Sequence, residues 1–189
     1  AQYRPASTVL VVRGLDNQIY HRVHTMGSWD NWNVLPSGAT CDSPAAIVFP
    51  RPPPWEDLPI IVRGMDGSSL WIRDQYSPNW GLIEGATPSA PTLASNGTNG
   101  YLVVRGMDNR VWYLHEWGWM PIASGTVDSP AAAMLGDNLH IVVRGMDGTS
   151  LWQLIIDTES NSVVTDIGRD TFEACSGFSR RREQGLPSR

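Results

Sequence analysis

The sequence has few charged residues and little positive charge. Only 17% of its residues are charged, and 14 Lys and Arg stand against 19 Asp and Glu, for a formal net charge of −5. This balance repels a phosphate backbone and argues against general nucleic-acid binding. The basic run Arg180-Arg181-Arg182 belongs to a polar tail. No window of 18 apolar residues occurs either, so no transmembrane segment is predicted.

Motifs for catalysis are also missing. The sequence contains no G-x-S-x-G, H-E-x-x-H, C-x-x-C or G-x-x-x-x-G-K-[ST] pattern. A glycosidase needs two carboxylates across a cleft, and nothing in the spacing pairs the candidates Asp30, Glu56, Glu84 and Glu116. The four histidines are scattered, at His21, His24, His115 and His140. We therefore predict no catalytic residue, no metal site, no cofactor and no enzymatic activity.

Cysteine is scarce, with only Cys41 and Cys175 in 189 residues. They form either a disulfide that joins distant parts of the chain or two buried thiols. The sequon Asn96-Gly97-Thr98 and the composition favour the disulfide and a secreted, extracellular protein. A first residue other than Met fits a processed or excised chain.

What the sequence does have is a phrase repeated four times. VVRGLDNQIY (11–20), IVRGMDGSSLW (61–71), VVRGMDNRVWY (103–113) and IVVRGMDGTSLW (141–152) share an Arg, a Gly, an Asp and an aromatic residue. Their arginines, Arg13, Arg63, Arg105 and Arg144, are 50, 42 and 39 residues apart. This spacing is typical of a four-stranded propeller blade. The prolines of PRPPPWEDLP (50–59) predict a loop that lengthens the first interval.

Each unit predicts four strands. A small-residue strand such as SPAAAML (129–135) comes first, and then an apolar strand that ends in Arg-Gly. An Asp-Gly or Asp-Asn hairpin with positive φ leads to a strand bearing Tyr20, Trp71, Trp112 or Trp152. An outer strand with further tryptophans closes at Gly38, Gly85, Gly125 or Gly168. The fold class predicted is all-β, a β-propeller of about four antiparallel four-stranded blades of 40–50 residues.

The predicted domain covers residues 1–178, with repeats at 7–42, 43–88, 89–128 and 129–178 and a polar tail at 179–189. The first unit has no Ser-Pro-Ala strand of its own. DTFEACSGF (170–178) is positioned to supply that strand and close the ring. The alternatives are a fragment of a larger ring and a ring completed by several copies of the chain.

These repeats resemble those of bacterial seven-bladed β-propeller lectins of the Photorhabdus lectin type. The resemblance rests on R-G-x-D-x-x-(x)-W, a tryptophan-rich strand, a glycine and Ser-Pro-Ala, over residues 7–178. It implies shallow sites between neighbouring blades, with aromatic walls and a few polar groups. Fucose-like or methylated sugars would be the partners. The present chain differs from the family in having four repeats.

The repeated residues have two interpretations each. The four arginines either tie hairpins and blades together, which we favour because every unit keeps one, or contact sugar through Arg63 and Arg105. Trp71, Trp112 and Trp152 are expected to fill the space between blades, whereas outer-strand tryptophans can stack on the apolar face of a sugar. The predicted carbohydrate-binding residues are Trp29, Trp32, Trp80, Trp117, Trp119, Arg63 and Arg105.

The function predicted is that of a secreted, multivalent, carbohydrate-binding lectin. The alternative is a structural or protein-interaction propeller in an extracellular assembly, which the proline-rich loop with Trp55 and the arginine-rich tail would serve. A glycoside hydrolase fragment is the third class. Unit four lacks the outer-strand tryptophan and is therefore the unit least expected to bind a ligand.

Overall fold

A computed structural model of the chain describes residues 8–47, 49–50, 56–74, 79–115, 118–160 and 162–171. Over these residues the chain is all-β, as predicted, and consists of four antiparallel four-stranded sheets and one short two-stranded ribbon. We number the large sheets 1 to 4 in chain order. No helix in the described part of the chain is long and apolar enough to cross a membrane.

Sheet 1 contains β1 (Thr8–Arg13), β2 (Gln18–Thr25), β3 (Ser28–Trp29) and β4 (Asn33–Ala39). Both β3 and β4 pair with the same strand, β2. The outer strand of sheet 1 is therefore divided into two parts, and these bring the number of strands to four. Among the described residues no strand pairs with the free edge of β1.

Sheets 2 and 3 each follow the predicted strand order. In sheet 2 the strands are β5 (Ala45–Ala46), β8 (Pro59–Arg63), β9 (Ser69–Asp74) and β10 (Gly81–Ala86). The ribbon of β6 (Phe49–Pro50) and β7 (Glu56–Asp57) forms the base of the predicted proline-rich loop. Sheet 3 contains β11 (Thr92–Ser95), β12 (Gly100–Arg105), β13 (Arg110–His115) and β14 (Gly118–Gly125).

Sheet 4 contains β15 (Ala131–Leu135), β16 (Asn138–Arg144), β17 (Ser150–Asp157) and β18 (Ser162–Thr171). Its outer strand continues past Gly168, because Asp170 pairs with Leu151 and Thr171 with Ser150. The expectation that residues 170–178 form the inner strand of the first unit is therefore wrong for 170 and 171. The other residues of that segment lie outside the described residues.

The hairpins of the repeated phrase have the predicted turn chemistry. The Asp carboxylate accepts hydrogen bonds from backbone N–H groups two or three residues ahead, as Asp147 does from Thr149 (3.0 Å) and Ser150 (2.9 Å). The residue after each Asp has a positive φ: 65° at Asn17, 81° at Gly67, 65° at Asn109 and 71° at Gly148. The turn therefore needs both the Asx acceptor and a residue that tolerates the left-handed region.

These turns predict an acid-sensitive fold. Hydrogen bonds from the backbone N–H groups of Ser150 and Thr149 lower the pKa of Asp147 to about 2, and those from Ser68 and Ser69 lower the pKa of Asp66. Because a lowered folded-state pKa stabilises the fold above the unfolded value, this contribution disappears as pH falls from about 4 toward 2. We expect the urea midpoint of the wild type to fall across that range.

The matched variants are Asp147→Ala and Asp147→Asn. Alanine removes the acceptor, so it should lower the urea midpoint at neutral pH and reduce the fall in acid. Asparagine keeps an acceptor oxygen and does not titrate, so it should cost less at neutral pH while showing the same reduced fall. An Asp147→Ala variant with the full acid dependence of the wild type would contradict this assignment.

One apolar cluster lies between each pair of neighbouring sheets. The sheet 1–2 cluster includes Ile19, Ile60 and Val62; the sheet 2–3 cluster includes Leu70 and Val104. The sheet 3–4 cluster is the largest. Trp71, Trp112 and Trp152 pack against these clusters in turn. The predicted packing role of the returning-strand tryptophans is confirmed, since flat rings fill the space between twisted sheets.

Candidate functional site

The repeated arginines bind to protein groups. Arg63 forms an ion pair with Asp42 (2.5 Å) and donates to the Gly67 carbonyl (2.7 Å). Arg105 donates to Asn109 Oδ1 and, across to the linker that leads to sheet 4, to the Val127 carbonyl (2.6 Å). These contacts fit the favoured interpretation, in which the arginines tie hairpins to the linkers between sheets. Sugar contact by Arg63 and Arg105 stays a prediction.

A cavity of about 360 Å³ lies at the junction of sheets 2 and 3. Trp112 and Trp119 line it together with Met107, Val104 and the carboxylate-bearing Asp108; the other lining residues are Gly85, Ala86 and Gly106. The cavity is thus mostly apolar and aromatic, with one acidic group. Its volume and lining are in the range of small-ligand pockets.

The two indoles of the cavity are fixed by hydrogen bonds. Trp119 Nε1 donates to the Glu84 carbonyl of sheet 2 (2.6 Å), and Trp112 Nε1 donates to Asp108 Oδ1 (3.1 Å). Hydrogen bonds from the backbone N–H of Arg110 and the indole N–H of Trp112 lower the pKa of Asp108. Their effect outweighs that of partial desolvation, which raises the pKa. Asp108 is therefore ionised at neutral pH and presents an acceptor beside the aromatic walls.

Gly85 makes room for the outer tryptophan of this cavity. It has a φ of 121° and lies in the β-bulge between Ile83 and Ala86. A Cβ on Gly85 would lie 3.1 Å from Trp119 Nε1, tighter than an ordinary contact. Gly85, the glycine predicted to end unit two, is thus the residue against which the Trp119 indole of unit three packs.

The junction of sheets 1 and 2 carries the same eight residue types at the matching repeat positions. They are Gly38, Ala39, Val62, Gly64, Met65, Asp66, Trp71 and Trp80. Trp80 sits on Gly38, where a Cβ would lie 2.6 Å from the ring. The set of eight residue types that lines the second junction thus recurs at the first.

The two junctions differ in the residue beside the outer tryptophan and in the hydrogen bonding of its indole N–H. Arg73, at the repeat position of Leu114, is 6% exposed and donates to the Pro36 carbonyl of sheet 1 (2.6 Å). Its guanidinium lies 5.9 Å from the Trp80 ring centre. Trp80 Nε1 is buried without a hydrogen-bond partner among the described residues, unlike Trp119 Nε1.

The junction of sheets 3 and 4 is different again. In sheet 3, Leu114 pairs with Trp119, and in sheet 4 the equivalent residue, Leu154, pairs with Asp166. Asp166 therefore occupies the repeat position of the outer tryptophan. Met146 lies against Gly125, where a Cβ would be 3.1 Å from Met146 Cγ. A cavity of about 430 Å³ beside Arg110, Pro121, Ile122, Ser124 and Gly125 has no aromatic lining.

The remaining predicted tryptophans lie on sheet 1 or outside the described residues. Trp29 and Trp32 are 42% and 46% exposed, and the Arg22 guanidinium lies 4.8 and 5.3 Å from their rings. Since His21 pairs with Asn33, Trp32 is at the repeat position of Trp80 and Trp119. Trp117, Cys175 and the tail lie outside the described residues. Cys41 is free, and its Sγ donates to the Gly64 carbonyl (3.2 Å).

Sequence reasoning missed several residues of the junctions. It treated Asp108 and Trp112 as turn and packing residues only and did not single out Met107 or Gly85 as cavity residues. It also missed the linker threonines Thr40, Thr87 and Thr126, which are fully buried. Their N–H groups donate to carbonyls of the preceding sheet's hairpin, as Thr126 does to Asn109 (2.9 Å). The recurring Gly-Ala-Thr at 38–40 and 85–87 was the signal that could have revealed them.

No cluster of three or more metal-ligating side chains occurs among the described residues. No protein-family model and no curated protein matches the sequence.

Among solved structures, the chain is similar to a point mutant of the Aleuria aurantia lectin in complex with alpha-methyl-L-fucoside. The TM-score is 0.65 at 15% sequence identity, and the match covers 92% of this chain and 62% of the lectin. The same mutant in complex with Fucalpha1-6GlcNAc matches with a TM-score of 0.61, at 15% identity and over 89% and 61% of the two chains. The chain thus spans less than two thirds of the lectin's length. These matches show the predicted β-propeller fold.

Proposed function

We propose that this protein is a lectin that binds carbohydrate in the cavities between neighbouring sheets. The observation that carries the proposal is the recurrence of one complete lining, eight residues identical in type, at the sheet 1–2 and sheet 2–3 junctions. Packing alone does not require the outer tryptophan, because the sheet 3–4 junction has Asp166 at that repeat position and still contains the largest of the three apolar clusters.

The chemistry of the lining suits a sugar ring. Trp112 and Trp119 offer indole faces to the C–H groups of a pyranose, and the ionised Asp108 accepts hydrogen bonds from its hydroxyls. Met107 and Val104 add an apolar wall that suits a methyl group. A deoxy or methylated sugar, which has both hydroxyls and a methyl group, matches this division better than a fully hydroxylated one.

Two further likenesses support a fucose-like ligand. The similar Aleuria aurantia structures hold fucosides, and the R-G-x-D-x-x-W repeat resembles that of the Photorhabdus lectin type. We further propose that the protein is non-enzymatic, multivalent and extracellular. The exposed turn at Asn96 suits the last of these proposals, because a sequon must be accessible to be modified.

The alternative of a protein-interaction module has one feature in its favour. Trp29 and Trp32 project with Arg22 from the exposed side of sheet 1, and tryptophan with arginine is common at protein interfaces. Replacing Trp29 by alanine therefore separates this alternative from sugar binding between the sheets.

The number of sugar sites is the first test of the lectin proposal. A glycan array should select a fucosylated or methylated sugar, and calorimetric titration with it should give two sites for each chain. Asp108→Asn, which keeps an acceptor but loses the charge, should weaken the site between sheets 2 and 3 by about tenfold and leave the other site unchanged. An array without any bound glycan would overturn the proposal, and binding that Asp108→Asn leaves fully intact would overturn the placement.

A further inference from the structure

Three of the four repeated phrases carry a methionine between their Gly and Asp. These residues are Met65, Met107 and Met146, whereas the first phrase has Leu15. The three methionine side chains are 54%, 63% and 57% exposed. Met65 and Met107 belong to sheets 2 and 3, which both have a neighbouring sheet on either side. Their exposure is therefore a property of the repeat's hairpin.

Met107 is also part of the cavity between sheets 2 and 3. It lines this cavity together with Trp112, Trp119 and Asp108. An exposed thioether is open to oxidants, and a lining residue influences which ligand the cavity accepts. Both conditions hold for Met107. Met65 has the same repeat position at the sheet 1–2 junction.

Two other methionines are protected by packing. Met120 and Met134 are partly buried against the apolar cluster between sheets 3 and 4. The Met120 sulfur also accepts a hydrogen bond from the Tyr113 hydroxyl (3.0 Å), which engages a sulfur lone pair. Because oxidation of a thioether uses a sulfur lone pair, these two residues should react slowly. The exposed methionines are Met26, Met65, Met107 and Met146.

Oxidation by hydrogen peroxide would change the chemistry of the cavity lining. A lone pair of the Met107 sulfur attacks one peroxide oxygen, an S–O bond forms and the O–O bond breaks. The sulfur is oxidised, and the second oxygen is reduced, takes the proton of the first and leaves as water. The apolar thioether becomes a polar sulfoxide. Its oxygen adds an acceptor next to Asp108 in the chain, where the lining had offered an apolar wall.

We propose that Met107 is an oxidation site through which hydrogen peroxide weakens ligand binding in the cavity between sheets 2 and 3. The inference rests on the proposed function, because it takes this cavity as a sugar site. Met65 is the corresponding residue of the sheet 1–2 junction. The change is reversible, since two sulfoxide reductases, one for each epimer, restore the thioether.

Peptide mapping by mass spectrometry tests the modification itself. The full chain is treated with increasing amounts of hydrogen peroxide, and the addition of an oxygen atom is followed at each methionine. The four exposed methionines should be oxidised before Met120 and Met134. Oxidation of Met107 that is as slow as that of Met120 would overturn the proposal.

Calorimetric titration with alpha-methyl-L-fucoside tests the effect on binding. The oxidised wild type should bind about tenfold more weakly, because the new acceptor loses water in the cavity without gaining a donor. Treatment with both reductases should restore the affinity. Met65→Leu combined with Met107→Leu removes both sulfurs, so oxidation should not change the affinity that this variant has before treatment. Met26→Leu, at an 81% exposed turn, is the matched control and should respond to oxidation like the wild type.

The outcomes separate this inference from the proposed function. An untreated wild type that does not bind the fucoside would overturn the fucose-like ligand, and the effect of oxidation on its binding would fall with it. A wild type that binds equally well before and after complete oxidation of Met107 would overturn this inference alone. So would a leucine double variant that loses affinity on oxidation as the wild type does.

Discussion

Replacing both Trp80 and Trp119 by alanine is expected to abolish sugar binding while the protein stays folded. Trp119 lines the cavity between sheets 2 and 3, and Trp80 has the same repeat position at the sheet 1–2 junction. Each indole packs against a glycine of the preceding sheet, Gly85 or Gly38. Loss of an aromatic stacking wall should cost about 2–3 kcal/mol per site, which corresponds to roughly 30- to 150-fold weaker binding. For weak single sites this puts the affinity of the double variant beyond detection in a calorimetric titration.

The single variants make this prediction sharper. Trp119→Ala should leave one site per chain, and Trp80→Ala should leave the other, because the two indoles belong to different junctions. Trp119→Phe keeps a ring but loses the hydrogen bond to the Glu84 carbonyl, so its affinity should fall between those of wild type and alanine.

Trp29→Ala is the control with the opposite expectation. Trp29 lies on sheet 1 beside Arg22, and it is neither a lining residue of the sheet 2–3 cavity nor at a matching repeat position in the sheet 1–2 junction. Its loss should therefore leave both sites intact. Full binding by the double tryptophan variant, or loss of binding in Trp29→Ala alone, would refute the cavities as sugar sites. The second result would move the site to the exposed surface of sheet 1, where the protein-interaction alternative also lies.

The parts of this structure that were predictable from the sequence are the turns and strand pairs whose contacts form between residues of the same repeat. The Asp147 turn is encoded by an acceptor and a positive-φ glycine within four residues, and each Arg-Gly strand pairs with the strand that directly follows it. Such contacts are short in sequence and recur four times, so the pattern itself displays them.

The cavity was not predictable in the same way, because two repeats build it. Gly85 and Ala86 come from unit two, whereas Asp108, Trp112 and Trp119 come from unit three. Pattern analysis within a unit assigns Asp108 to its turn and Trp112 to packing, which are both correct and incomplete. The end of unit four was missed for a related reason, since the pairing of Asp170 with Leu151 depends on the bulge in β18 and not on the position of Gly168.

Replacement of Gly106 by alanine is the second large effect we expect, here on stability. A Cβ at this position would lie 2.5 Å from Asp108 Oδ1 and 2.6 Å from Trp112 Nε1. The Trp112 ring would have to leave the sheet 2–3 cluster and its hydrogen bond to Asp108. We expect a loss of about 3 kcal/mol, or a fall in Tm of about 6–12 °C for a chain of this size.

Gly81→Ala is the matched control for this variant. A Cβ on Gly81 would meet Ile72 Cγ2 at 3.6 Å, an ordinary contact, and the φ of Gly81 is not in the left-handed region. Its Tm should therefore change by no more than about 2 °C.

A double-mutant cycle identifies the cause. If the collision with the indole is what destabilises Gly106→Ala, the same change should cost far less in a Trp112→Val background, where the ring is absent. The cycle should give a coupling free energy of about 2 kcal/mol between the two positions. If Gly106→Ala lowers the free energy of unfolding equally in both backgrounds, the collision with the Trp112 ring is not the cause. The glycine would then be required for its backbone conformation.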